Sequence, residues 1–271
     1  MSAQPTGTGE WAGGQDGIPF FYKQIDGLYV PTRLARSPWE KGKQNGVSLG
    51  GLATHPAEAV PTPVPMATAR LTIDILGAAP HGPTDGRTRV VREGKRLQLI
   101  EAELLVEGRV AARAAVLRVR IEETPRFAEQ RSYPAPAAAA PAGFMDSRAF
   151  GGTMETRVAS GTLGETGPKT LWVRFGHQHV AGVPLSPLVR TASIADFGGG
   201  LGTMLDRDRW TSANVDISVH LVREPVGEWI LCDASTASDG NGFARSDMVL
   251  ADEQGAFARA HQILFVAPTG R

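Results

Sequence analysis

The sequence predicts an α+β protein built from two tandem units, each a helix covered by an antiparallel sheet. Both halves begin with short strand-like runs, continue with a helical segment and end in long strand patterns. A Pro- and Ala-rich segment, YPAPAAAAPAG (133–143), separates the two series. The segments EGRVAARAAVLRV (107–119) and QGAFARAHQILFV (254–266) are similar, which indicates duplication of one unit.

The first half is predicted to form a domain over residues 18–122. It opens with PFFYKQIDGLYVPTRL, a hairpin pattern that turns at Asp26-Gly27. The next segment, NGVSLGGLATHPAEAV, predicts a helix before and after Pro56. The three strand patterns that close this half are MATARLTIDILGAA, RTRVVREGKRLQLIEAELLVEG and RVAARAAVLRVR. We expect residues 123–142 to be a linker, because no helix or central strand tolerates their proline content.

The second domain is predicted over residues 143–271 and repeats this order of elements. It begins with TMETRVASG and KTLWVRFGHQHV. A helix follows in LSPLVRTASIADF, where Ser186 is the predicted N-cap and Pro187 takes the first helical position. The strand patterns that come after it are ANVDISVHLV, EWILCDASTAS, GFARSDMVLADEQG and AFARAHQILFV.

The composition argues against several classes of function. Lys plus Arg and Asp plus Glu number 28 each, so no field of one sign attracts nucleic acid, and we expect none to bind. No run approaches the roughly 18 apolar residues of a membrane span. The first seventeen residues lack the pattern of a signal peptide, and the single cysteine, Cys232, cannot form an internal disulfide. We therefore expect a cytoplasmic protein.

Three segments of the second half resemble the acyl-CoA thioesterase II-like family, whose fold is a double hotdog. They are PLSPLVRTASIADFGGG, NVDISVHLVREPVGEWILCDA and GAFARAHQILFV. The first half agrees through MATARLTIDILGAAP and VVREGKRLQLIEAELLVEG. The resemblance implies two tandem hotdog domains, an acyl-CoA substrate, a role in fatty acid metabolism, and no metal or redox cofactor. Because hotdog sheets have edges that usually pair, we expect a homo-oligomer.

The resemblance also implies three catalytic residues. In the family, a helix Asp, a strand Thr and a Gln on the last strand hold the water that attacks the thioester. These positions fall on Asp196 in SIADF, on Asn214 in SANVDIS, and on Gln262 in ARAHQILF. Asn214 departs from the pattern, since it replaces a hydroxyl with an amide. Thr68, in PMATARL, stands at the first-half position of Asn214, and we assign it to substrate binding.

Thioester hydrolysis needs a base or nucleophile, a group that orients water, and donors for the negative charge that develops on the carbonyl oxygen. Burial on an apolar helix face should raise the pKa of Asp196 and make it a better base near neutral pH. The backbone amides of Gly46 and Val47, at the start of the first helix, are candidate oxyanion donors. Gly198 and Gly199 would let the substrate's pantetheine arm approach closely.

The first half offers a weaker set of residues, which predicts one working site per chain. The position of Gln262 falls on Ala115, and NGVSLGGLATH has no acidic residue where the second half has Asp196. His177 and His179 are spaced like metal ligands on a strand but have no suitable partners, so we predict no metal site.

Two alternatives stay open. Asn in place of Thr would suit an acyl-binding protein that has lost catalysis. A hydratase of the same fold would use an Asp and His pair, for which Asp216 and His220 are candidates. These two residues share one face of a strand with Ser218, a pattern more typical of a solvated face or a subunit contact.

Overall fold

The computed structural model describes residues 19–127, 132–143 and 153–270. Their strands form a 15-stranded sheet with two main helices, one from each half of the chain. The prediction of a double-hotdog α+β fold is therefore confirmed.

The sheet contains long strands in both halves and short ones at its ends. In chain order the strands are β1 (Phe20–Ile25), β2 (Leu28–Pro31), β3 (Met66–Ile75), β4 (Thr84–Glu93), β5 (Leu97–Val106), β6 (Arg109–Arg120), β7 (Ala140–Ala142), β8 (Met154–Ser160), β9 (Lys169–Phe175), β10 (Gln178–Val180), β11 (Trp210–Asn214), β12 (Asp216–Leu221), β13 (Ile230–Ala237), β14 (Phe243–Asp252) and β15 (Gly255–Pro268). The order across the sheet is β10-β1-β2-β4-β5-β6-β3-β12-β15-β14-β13-β9-β8-β7, and β11 pairs with β15.

The two halves join through β3 and β12, which pair in antiparallel register from Asp216 opposite Asp74 to His220 opposite Arg70. The inward side chains of β12, such as Ile217 and Val219, are fully buried. Each half therefore extends the sheet of the other, and one sheet spans both.

The helices are α1 (Gly46–Glu58), α2 (Pro187–Ala195) and the short α3 (Gly198–Leu201). Ser186 caps α2 as predicted, since its hydroxyl accepts from the Val189 amide at 3.1 Å. Asn45 caps α1 in the same way through the Ser48 amide, at 2.8 Å. A Cβ on Gly50 would lie 3.2 Å from the Ala192 carbonyl oxygen, so α1 and α2 approach closely at this glycine.

Residues 133–142 of the predicted linker pack on the second half. β7 pairs with β8, and the indole nitrogen of Trp172 donates to the Pro134 carbonyl at 2.9 Å. Pro136 is buried in the same region. The division into domains at 122 and 143 remains a prediction from composition.

The first-half helix ends in a polar cluster of its own. Asp196 lies ten residues after the cap of α2. The residue ten positions after the cap of α1 is His55, which is not acidic, as the sequence analysis expected. The helix α1 continues for about one further turn and ends at Glu58. Burial raises the pKa of Glu58, partly offset by a hydrogen bond with Ser186. The buried Arg118 guanidinium covers the helix end, donating to the carbonyls of Ala57 and Val60 at 2.8 and 2.7 Å.

Arg118 also donates to Oε1 of Gln98, a fully buried side chain, at 3.1 Å. Replacement by Ala would remove this donor from the Ala57 and Val60 carbonyls, at the end of α1, and from the amide oxygen of Gln98. We expect Arg118→Ala to lower the free energy of unfolding by about 2–3 kcal/mol in urea titrations.

Arg113→Ala is the matched control, because Arg113 lies on the same strand but pairs with Glu103 at the surface. It should cost no more than about 0.5 kcal/mol. Equal losses for the two variants would contradict the capping role of Arg118.

Candidate active site

Asp196 lies where the two helices meet. It is the C-terminal cap of α2, and its carboxylate rests against the first residue of α1. A Cβ on Gly46 would lie 2.2 Å from Oδ1 and 2.6 Å from Oδ2 of Asp196, so only glycine leaves room for the carboxylate there. The negative charge is unfavourable at the end of its own helix but favourable at the N-terminus of α1. The surroundings of Asp196, a residue of the second half, therefore include the start of a helix from the first half.

Asn214 holds this carboxylate in place. Its Nδ2 donates to Oδ1 of Asp196 at 2.6 Å and to the Asp196 carbonyl at 3.0 Å. Asn214 ends β11, which pairs with β15 in a register that places Asn214 opposite Leu264. The side-chain amide therefore orients the carboxylate through a strand of the main sheet.

Burial raises the pKa of Asp196 from its ordinary value of 3.8 to about 6, and the hydrogen bond from Asn214 opposes part of that rise. Because the folded-state pKa is above the unfolded one, the group destabilises the fold increasingly as pH rises from about 4 to about 6. Above that range the carboxylate is ionised in buried surroundings, while the residue as a whole is half-buried. These are the properties of a proton acceptor that works near neutral pH.

Gln262 fixes the backbone on both sides of Asp196. Its Nε2 donates to the Ala195 carbonyl at 2.5 Å, and its Oε1 accepts from the Gly199 amide at 2.7 Å. Gln262 is buried on β15, so its carboxamide holds the break between α2 and α3. It lies in the same interior region as Asp196.

Gly198 and Gly199 line this region because side chains would not fit there. A Cβ on Gly198 would lie 2.8 Å from Oε1 of Gln262, and one on Gly199 would lie 2.5 Å from Leu264. These two glycines therefore have a packing role, because they allow α3 to contact β15.

Ser246 is a polar residue of this cluster that the sequence analysis missed. It lies opposite Gln262 in the β14–β15 register, and its Oγ would be 2.8 Å from a Cβ on Gly198. This buried hydroxyl has no hydrogen-bond partner among the described residues. The sequence signal that indicates Ser246 is the register of the last hairpin, in which GFARSDMVL pairs with ARAHQILF and Ser246 faces Gln262.

The candidate oxyanion donors lie beside the carboxylate. Gly46 and Val47 are the first two residues of α1, and the first-turn amides of a helix have no acceptor within the helix. Asn45 satisfies the third amide, that of Ser48. The amides of Gly46 and Val47 therefore belong to the same corner as Asp196.

Thr68 is not part of this corner. It pairs with Arg118 near the start of β3, whereas the opposite end of β3 reaches the site, where the Ile75 amide donates to the Val215 carbonyl at 2.8 Å. Seven strand residues between Thr68 and Ile75 correspond to roughly 23 Å. The assignment of Thr68 to the same substrate site therefore lacks support from the fold.

Asp216 and His220 do not form a hydratase-like pair. They lie four residues apart on a strand, which separates them by roughly 13 Å. The carboxylate of Asp216 accepts from the Ile263 amide at 2.6 Å, and His220 is exposed. Both belong to the outward face of the sheet, as their alternation predicted.

The two spaced histidines are interior side chains. Burial lowers the pKa of His177 to about 4 and that of His179 to about 3, so both are neutral. Phe21 packs against each ring, and His179 Nε2 lies 2.9 Å from the Ser48 carbonyl. Among the described residues, no group of three or more His, Cys, Asp or Glu side chains could hold a metal ion.

A surface cleft of about 280 Å³ lies elsewhere on the second half, lined by residues that include Glu155, Arg174 and Glu228. Asp196 does not line it. The buried carboxylate, its amide donors and the helix N-terminus define the chemistry better than this open cleft does, so we place the site at Asp196. No helix in the described part of the chain is both long and apolar enough to cross a membrane.

Two hotdog units that share a sheet, with a buried carboxylate where their helices meet, define a double-hotdog protein. Two family models match the chain: the acyl-CoA thioesterase N-terminal domain over residues 35–119 and the acyl-CoA thioesterase C-terminal domain over residues 128–266. The chain belongs to the acyl-CoA thioesterase family. It is a thioesterase, and its general reaction is thioester hydrolysis.

Solved structures share this fold at low sequence identity. A provisionally assigned thioesterase II from Thermobifida fusca has a TM-score of 0.71 at 17% identity, covering 91% of this chain and 94% of its own. A provisionally assigned thioesterase from Novosphingobium aromaticivorans has a TM-score of 0.68 at 23% identity, covering 96% and 99%. The acyl-CoA thioesterase II TesB2 from Mycobacterium marinum has a TM-score of 0.66 at 16% identity, covering 92% and 95%. No curated protein sequence matches the chain.

The contact between Gly46 and Asp196 generates a prediction. A methyl group at Gly46 would overlap the carboxylate, so Gly46→Ala should displace Asp196 and lower kcat/KM for a thioester by at least about 10²-fold. Steady-state kinetics would measure the loss, and circular dichroism would check that the fold persists.

Gly77→Ala is the control, because a Cβ at Gly77 meets nothing within 4 Å. If Gly46→Ala keeps the wild-type kcat/KM, the position of the Asp196 carboxylate against α1 is not required for activity.

Proposed function

We propose that the chain hydrolyses acyl-CoA thioesters with Asp196 as the catalytic base. One observation carries this proposal: a mostly buried carboxylate with a pKa raised to about 6 lies at the N-terminus of a helix from the other half. At neutral pH such a carboxylate is ionised, and its pKa is close enough to accept a proton from water. The family and its general reaction agree with this chemistry.

In the proposed reaction, Asp196 removes a proton from a water molecule as that water attacks the acyl carbon. The thioester carbonyl oxygen becomes negatively charged in the tetrahedral intermediate. In this proposal the first-turn amides of α1, at Gly46 and Val47, donate to it, which their position at the start of the helix supports. When the intermediate collapses, the carbon–sulfur bond breaks, and the proton held by Asp196 passes to the leaving thiolate.

Asn214 and Gln262 position the components of this reaction. Asn214 orients the carboxylate directly. Gln262 uses one Nε2 hydrogen and one Oε1 lone pair on the backbone beside Asp196, which leaves a second hydrogen and lone pair for the attacking water. The unpartnered hydroxyl of Ser246 is close enough to join the same water network.

The Asn in place of the family Thr is compatible with catalysis. A Thr hydroxyl at this position would also supply a single donor toward the carboxylate. The contact from Asn214 to Asp196 thus argues against the alternative of an acyl-binding protein without activity, for which this substitution was the supporting feature.

Asp196→Asn tests the base directly. The variant keeps the shape of the side chain but cannot accept the proton, so we expect kcat/KM for acyl-CoA to fall by about 10²–10⁴-fold in a thiol-release assay. Its melting temperature at pH 7 should be no lower than that of the wild type, because the substitution removes a buried charge. Full activity in this variant would refute the assignment.

A quenched reaction of the wild-type protein distinguishes a base from a nucleophile. Direct attack by Asp196 on the acyl carbon would leave an acyl adduct on the protein, which mass spectrometry detects.

Variants at Asn214 test its electrostatic role. Asn214 lowers the pKa of Asp196, so its loss in Asn214→Ala should raise the apparent pKa in the pH profile of kcat/KM above about 6 and lower the rate at pH 7. Asn214→Thr restores a donor and should return most of the activity. A pH profile that is unchanged in Asn214→Ala would show that this hydrogen bond does not affect the base.

A panel of short, medium and long acyl-CoAs would define the acyl chain length that the protein hydrolyses. The expected cytoplasmic location, role in fatty acid metabolism and homo-oligomer formed through sheet edges remain predictions of the sequence.

A further inference from the structure

An exposed tryptophan and an arginine lie together beside the candidate active site. Trp39 is 69% exposed, and the guanidinium carbon of Arg207 lies 6.0 Å from the centre of its ring. An indole this exposed leaves a ring face open to a stacking ligand. Arg207 lies in the segment LDRDRW (205–210), in which the charges alternate in sign.

The loop that carries Trp39 leads directly into the start of α1. Ser37 organises this loop, since its hydroxyl accepts from the amides of Trp39 and Glu40 at 3.2 and 3.1 Å and its amide donates to the Lys43 carbonyl at 2.8 Å. Arg36 and Gln44 form a bridge that closes the loop, one residue before the Asn45 cap. The backbone that carries Trp39 is therefore an ordered turn that leads into the start of α1.

Arg207 reaches the same place from the second half. Its Nη2 donates to the Gly200 carbonyl at 2.7 Å. Gly200 follows Gly199, whose amide is bonded to Gln262. Trp39 and Arg207 thus meet beside the junction that holds Asp196, one contributed by each half.

The Trp39 loop is basic, whereas the segment of Arg207 is balanced, because Asp206 and Asp208 flank Arg207 and Arg209 follows. Lys41 and Lys43 lie in the Trp39 loop, and neither has an ion-pair partner among the described residues. The residues from Arg36 to Lys43 carry three positive charges and one negative charge, whereas the whole chain has a formal net charge of zero. The excess of positive charge is confined to the Trp39 loop, which leads into the start of α1.

We propose that Trp39 and Arg207 bind the nucleotide end of coenzyme A, with adenine stacked on the indole and Arg207 bound to a phosphate group. Lys41 and Lys43 add to the attraction for the phosphates. Indole faces bind bases by stacking, and guanidinium groups bind phosphate through paired hydrogen bonds. This inference rests on the proposed function, and it makes the pair a determinant of selectivity for CoA over thioesters that lack the nucleotide.

The test compares one acyl group on two carriers: CoA, and pantetheine, which lacks the nucleotide and its phosphates. Trp39→Ala and Arg207→Ala should each raise KM for acyl-CoA by about 10-fold with kcat changed less than about twofold. Neither substitution should change kcat/KM for acyl-pantetheine. Arg89→Ala is the control, because Arg89 pairs with Glu101 at the surface of the first half and lies outside this patch.

The outcomes separate this inference from the proposed function. Absence of hydrolysis of either thioester by the wild type would contradict the proposed function. Hydrolysis of both with equal kcat/KM, or equal losses on both in the variants, would overturn the nucleotide assignment alone. A third result would also overturn it. If the Trp39 and Arg207 variants lose activity on an acyl carrier protein thioester but keep the wild-type KM for acyl-CoA, these residues bind a protein carrier instead.

Discussion

The close contact between a carboxylate and a helix N-terminus organises this site. Asp196 ends one helix and Gly46 begins the other, and the two helices belong to different halves of the chain. The contact needs a glycine at 46, because a methyl group would occupy the volume of the carboxylate. It also needs α1 and α2 to cross closely, which Gly50 permits against the Ala192 carbonyl. A single hotdog unit of this chain could not supply this combination.

The cost of burying the charge is offset locally. Asn214 donates to the carboxylate, and the α1 N-terminus supplies a favourable electrostatic environment. The offset is partial, so the pKa stays above its ordinary value. The other half of the molecule shows a different solution. There Arg118 donates to backbone carbonyls at the end of α1, and the carboxyl group of Glu58, at the same helix end, is hydrogen-bonded with Ser186, the N-cap of α2. Duplication thus provides two similar frameworks with different polar contents.

Much of the fold could be predicted from the sequence because alternation and capping are local signals. Ser186 and Pro187 marked the start of α2, and the pattern around Pro56 predicted that α1 continues past it. The set of Asp196, Asn214 and Gln262 came from a family resemblance, and the fold brings all three together. Ser246, Arg207 and Trp39 were not predicted, because their proximity depends on strand register and on the approach of two distant loops. Thr68 was assigned to the site by analogy between the halves. In the structure it lies near the start of β3, at the end of that strand that is remote from Asp196.

The most direct test of this account is a carbon-13 NMR titration of the Asp196 carboxyl group, assigned by comparison with Asp196→Asn. The account predicts a midpoint near pH 6, well above the ordinary value of 3.8, because burial disfavours the charged form. A midpoint at or below about 4 would contradict it, since the carboxylate would then be solvated or fully compensated and poorly suited to accept a proton from water.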